Sequence, residues 1–153
     1  MILKGKLQYS GILKLVINPE EMNLDTKGLV LNRKLHVTLV HQKIFKLLEY
    51  EGKKFSKHLQ KNEIKNKDME FEIDINLQSA TIFEENEKEV LVFFVTEQSQ
   101  KELDILVQIF FKEYGLQKEF NDIRPDTEDS GRQFHISYAN KSGNPFDSIA
   151  IVW

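Results

Sequence analysis

The clearest pattern in the chain is an alternation. Met69, Phe71, Ile73 and Ile75 are separated by Glu70, Glu72 and Asp74, the period of two that marks a strand with one buried face. The same reading applies earlier. Leu7 and Tyr9, then Ile12, Leu13, Leu15 and Ile17, predict extended chain from residue 6 to 17, broken at Ser10-Gly11 by a bulge or a turn. Asn18-Pro19-Glu20-Glu21 is a helix-start signal that opens only a short helix or turn before Gly28. Residues 22–33 read as loop.

Residues 34–40 form the next strand. From His41 the period lengthens, with Ile44, Leu47, Leu48, Phe55 and Leu59 on one helical face to about residue 61. Gly52 weakens that helix. Its polar face holds Lys43, Lys46, Lys53, Lys54, Lys57 and Lys61, a run read as a solvated surface. A polar link covers 62–68. Residues 79–83 and 89–96 suggest a hairpin turning at Glu85-Asn86-Glu87-Lys88, and the run Val90 to Val95, apolar on both faces, predicts a central strand. Ser99 with Glu102 reads as a capping box. Leu103, Leu106, Val107, Phe110 and Tyr114 follow at helical spacing, and Gly115 closes the helix. Residues 116–132 read as a mobile polar loop, 133–139 as a strand and 147–153 as a last strand.

Two of these strands carry the same short sequence: His36-Val37-Thr38-Leu39 and His135-Ile136-Ser137-Tyr138. Alternation puts His36 with Thr38 on one face, and His135 with Ser137 on one face, while the apolar residues turn inward. An imidazole titrates near neutral pH, so one can accept a proton while another donates one. Hydroxyls two residues further on can donate hydrogen bonds to oxygens whose charge grows in a transition state.

Two H-x-[ST]-x motifs in the two halves of a small α+β chain resemble the 2H phosphoesterase superfamily, which includes LigT-like RNA ligases and cyclic phosphodiesterases. The resemblance implies a single domain over residues 1–153. Its fold would be bilobal, with two antiparallel sheets forming a cleft and each sheet backed by a helix. It implies His36, Thr38, His135 and Ser137 as catalytic residues. The implied activity is metal-independent and cofactor-free hydrolysis of a nucleotide or RNA-end phosphodiester, either a 2′,3′-cyclic phosphate or a 2′–5′ linkage. Viral members cleave cyclic or 2′–5′ oligonucleotide signals, which is a second substrate reading. A binding module that holds a nucleotide or RNA end without turning it over is the alternative outside catalysis. An interaction domain without a site would leave the histidines far apart.

Supporting residues follow from position. Lys34 and Gln133 precede the motif histidines by two and share their face. Arg33, Arg124 and Arg132 are candidate loop cations, and Tyr9 and Phe146 candidate platforms for a base. Leu39 and Tyr138 point to the core, and His58 to solvent.

Composition narrows the classes. With 41% apolar and 29% charged residues, the chain has the make-up of a globular domain. A net charge of −3 gives no basis for tight grip on long polyanions, though a small phosphate in a local pocket stays compatible. No cysteine is present, so disulfides and thiolate metal sites are excluded. No HExxH motif, Gly-rich phosphate loop or nucleophile elbow occurs. The first residues lack the apolar core of a signal peptide. The expectation is a cytoplasmic monomer acting on a nucleotide or RNA 3′ end, away from membranes.

Overall fold

The computed structural model describes residues 1–50, 69–127 and 129–149. The second part of the lysine-rich helix, the link at 62–68 and the last four residues lie outside the described residues.

The chain is α+β, with one antiparallel sheet of eight strands and three α-helices among the described residues. In order these are β1 (Ile2–Tyr9), β2 (Leu13–Ile17), β3 (Val30–Leu31), β4 (Leu35–Val40), α1 (Gln42–Tyr50), β5 (Glu70–Asp74), β6 (Thr81–Glu85), β7 (Lys88–Phe94), α2 (Glu97–Glu113), α3 (Gln117–Ile123) and β8 (His135–Asn140). The spatial order is β5-β1-β2-β4-β8-β7-β6, with β3 also paired to β8. The two sheets that the resemblance implies are joined into one, because β4 and β8 pair at Val37↔Ile136. At the far end, Ile75 bridges Val95, which brings the ends of β5 and β7 together.

Alternation is kept across the sheet. Leu3, Leu7, Leu13, Leu15, Ile17, Leu35, Val37, Ile73, Phe93 and Ile136 all lie on the buried face. Gly5 belongs to that face because a Cβ there would come within 2.8 Å of the Leu15 Cβ. The expected break at Ser10-Gly11 is the β1–β2 turn. The 86–87 turn has positive φ at both Asn86 (48°) and Glu87 (68°), the backbone of a two-residue hairpin whose twist matches its strands.

The helices pack on the buried face through an aromatic cluster. Phe45 of α1 stacks on Phe111 of α2 at 5.9 Å, and Phe111 stacks on Phe120 of α3 at 4.2 Å between centroids. Phe110 meets Phe111 edge-on at 5.3 Å, and Tyr9 meets Phe45 edge-on at 5.0 Å. No helix among the described residues is long and apolar enough to cross a membrane.

Four local expectations are corrected. The cap of α2 is Thr96, whose hydroxyl accepts from the Ser99 N–H at 3.3 Å; the Ser99 hydroxyl instead accepts from the Asp74 N–H at 2.8 Å. Residues 116–127 are an ordered helix followed by a 3-10 turn at Arg124–Asp126, not a mobile loop. The loop at 22–33 contains β3. Residues 147–149 form no strand, because Asn140 holds the chain in a turn: its Nδ2 donates to the carbonyls of Asn144 (2.8 Å) and Asp147 (3.0 Å).

Phe111 is fully buried at the centre of this aromatic cluster. Phe111→Ala is expected to cost about 3–5 kcal/mol, read as a lower urea midpoint at unchanged m-value.

Candidate active site

The β4–β8 junction is the centre of the sheet, and both motifs lie on it. Val37 and Ile136 are opposite each other and fully buried. Continuing this antiparallel register by one residue sets His36 opposite Ser137, and Thr38 opposite His135. All four are half-buried and share the face turned away from the helices. Directly opposite residues have Cβ atoms about 4.5–5.5 Å apart, and the diagonal pair His36 and His135 about 7–8 Å. The histidines are therefore close neighbours, and each lies beside the other strand's hydroxyl.

Each motif ends in the same irregularity. β4 gains one residue against β2 between Thr38 and Val40, and β8 gains one against β7 between Ser137 and Ala139. Leu39 and Val40 consequently both point inward, as do Tyr138 and Ala139. The Tyr138 hydroxyl, buried as the sequence implies, donates to the Met22 carbonyl at 2.9 Å and accepts from the Leu24 N–H at 3.0 Å.

The two imidazoles differ in their surroundings. The His135 Nδ1 lies 2.9 Å from the Gln133 carbonyl. A carbonyl only accepts, so Nδ1 carries the hydrogen and Nε2 is the basic nitrogen of the neutral ring. His36 makes no hydrogen bond among the described residues. Its pKa is pushed down to about 4, first by burial, then by Lys14, then by His135 itself. His135 is also pushed down, by burial and by Arg132, against the opposing effect of the Gln133 carbonyl. In both rings burial thus disfavours the charged form.

The neighbouring strands complete the face. Lys14 of β2 is opposite Thr38, and Val16 opposite His36. Phe94 of β7 is opposite His135, with ring centroids 5.9 Å apart, and Val92 is opposite Ser137. Phe83 meets Phe94 edge-on at 6.3 Å. Lys14 and Phe94 escape a search for motifs because only strand pairing brings them here. The signal that finds them is their parity within strands already legible from alternation.

The other candidates fall differently. Lys34 is exposed, in a bend just before β4, and close enough to Lys14 to lower its pKa. Gln133 contributes its carbonyl. Tyr9 is on the helix side against Phe45, so it offers no platform. Phe146 is 88% exposed on the loop after β8. Arg33 is exposed, and its N–H donates to the Gly143 carbonyl at 3.1 Å. Arg124 is engaged elsewhere: it pairs with Asp104 at 3.1 Å, donates to the Asp129 carbonyl at 2.9 Å and covers the Phe120 ring. Arg132 is buried against the Asp129 carboxylate, so neither arginine reaches in from a loose loop.

Asp129 is itself a structural centre. One oxygen holds Arg132 and the other accepts from the His41 N–H at 2.9 Å. This ties the end of β4 to the approach to β8. Beyond the opposite end of the junction, Asn32 donates from Nδ2 to the Ser137 carbonyl at 3.2 Å and from its N–H to the Tyr138 carbonyl at 2.9 Å. Among the described residues, no three His, Asp or Glu side chains are grouped so as to hold a metal ion.

No family model, curated protein or solved structure matches the chain.

Asp129→Ala leaves a buried guanidinium without its partner and an N–H without its acceptor. It is expected to lower stability by about 3–5 kcal/mol, measured by urea unfolding. The histidines set a second expectation. Their folded pKa values lie below the unfolded value near 6.5, so the unfolded chain takes up protons first as pH falls. The stability they contribute is full above about pH 6.5 and is lost on the way down to about pH 4. His36→Asn should flatten that part of the profile when unfolding midpoints at pH 7 and pH 4.5 are compared with those of the parent.

Proposed function

We propose that this protein is a phosphodiesterase of the 2H type, cleaving a nucleotide or RNA-end phosphodiester by acid–base catalysis between His36 and His135. The observation that carries the reading is the pairing of two H-x-[ST]-x strands so that both imidazoles and both hydroxyls share one face. In this reading the halves of the sheet on either side of the β4–β8 junction act as the two lobes of such an enzyme.

The chemistry follows from the groups present. The scissile phosphate sits over the junction. One neutral imidazole takes the proton from water or a ribose hydroxyl, and the oxygen so activated attacks phosphorus. The other imidazole, protonated, gives its proton to the leaving oxygen as the P–O bond breaks. Thr38 and Ser137 donate to the non-bridging oxygens. Neither hydroxyl is engaged by another protein group among the described residues. An anionic phosphate between the rings raises the pKa values that burial and the nearby cations depress. Substrate binding therefore brings with it the proton that the acid needs. The Phe94 ring beside His135 is an apolar surface on which a base can stack.

The test is turnover of a panel of 2′,3′-cyclic nucleotides and 2′–5′ dinucleotides, with products separated by chromatography. His36→Ala and His135→Ala are each expected to reduce turnover by ~10²–10⁴-fold while keeping the native circular-dichroism spectrum, and EDTA to leave the parent rate unchanged. Parental turnover in either variant would overturn the assignment.

A further inference from the structure

The two halves that meet at β4–β8 match in backbone but not in chemistry. Each motif strand has its neighbour, β2 on one side and β7 on the other, and each carries its extra residue at the same place after the hydroxyl. In this near-symmetry the position opposite Thr38 corresponds to the position opposite Ser137. Lys14 fills the first and Val92 the second. The β7 flank, with Val92 and Phe94, has no charge at these positions. The β2 flank has Lys14 and, two residues before His36, Lys34.

Among the described residues neither Lys14 nor Lys34 forms a salt bridge with a carboxylate. Lys14 is held below its ordinary pKa by burial and by Lys34, as expected where positive charges converge without an anion. β2 lies about 7 Å from the middle of the junction, one and a half strand spacings of ~4.8 Å. A phosphate seated over the β2 backbone would be offset by that distance from one over the histidines.

We propose that Lys14 and Lys34 form a second anion subsite that holds a phosphate other than the one attacked. The substrate is then an oligonucleotide or a nucleotide with an additional phosphate group, its charged end over β2 and a base toward Phe94. The uneven flanks give a nearly symmetric scaffold a direction. This rests on the phosphodiesterase reading for its substrate class, but the subsite can be tested apart from it.

The experiment compares dinucleotides that share one scissile linkage and differ by an added terminal phosphate at the 5′ or the 3′ end. With the parent protein, one of the two phosphates is expected to lower KM about tenfold, as a charge-assisted bond does, and the gain should shrink with added salt. Lys14→Met should abolish the gain and Lys14→Arg should keep it. No gain in the parent, or an equal loss in Lys14→Met with and without the added phosphate, would overturn the second subsite while leaving the phosphodiesterase reading in place. If no linkage is cleaved, that reading fails instead. The subsite is then decided by titrating inorganic pyrophosphate while following the His36 ring resonances. A shift in the parent that Lys14→Met loses supports it, and no shift in the parent overturns it.

Discussion

A single backbone pairing, Val37 with Ile136, makes one sheet out of two groups of strands. The geometry of the site depends on it. It fixes which side chains are opposite, which face they share and how far apart the two rings are. So short a ladder holds little by itself. It is secured beyond both ends: by Asn32 and β3 on one side, and by Asp129, Arg132 and the His41 N–H on the other. The polar groups that close the junction are buried, and all of them are used. A half-satisfied network there would weaken the join that the two motifs share.

The electrostatics of this face run against the charge of the whole chain. The net charge is −3, yet Lys14, Lys34, His36 and His135 converge with no acid among them on the motif strands. The carboxylates are concentrated elsewhere, with Glu70, Glu72 and Asp74 on β5 and Glu84 and Glu85 on β6, the two outermost strands. A global balance reports on solubility and on contact with long polyanions; it does not describe one local face of a sheet. Burial and nearby positive charge disfavour the charged form of both imidazoles.

Much of this was legible from residues alone, for a physical reason. Alternation in β1, β2, β5 and β8 is imposed by burial of one face, and it survives whatever pairs with the strand. The turn at Asn86-Glu87 is local chemistry. What escaped is non-local. No periodicity states that β4 neighbours β8; the division into two sheets comes from the family resemblance, and the pairing at Val37↔Ile136 joins them. Arg124 and Arg132 looked available because Asp104 and Asp129 meet them only after folding. The short helix α3 begins at Leu116 without a side-chain cap and is held by Phe120 stacked on Phe111, a contact that local propensity does not contain. Thr96 and Ser99 both suit a helix start, and the Asp74 N–H decided between them by claiming the Ser99 hydroxyl.

The extra residue that follows each motif has an effect on register. A strand that slips by one residue turns its whole inward set outward, and a ladder this short would resist such a slip poorly. Here each motif strand carries two consecutive inward side chains after its hydroxyl, Leu39 with Val40 and Tyr138 with Ala139. A shifted strand cannot bury both members of such a doublet by simple alternation. The doublets act as stops, and sliding β4 or β8 by one position would drive an imidazole into the aliphatic interior while expelling a leucine or a tyrosine.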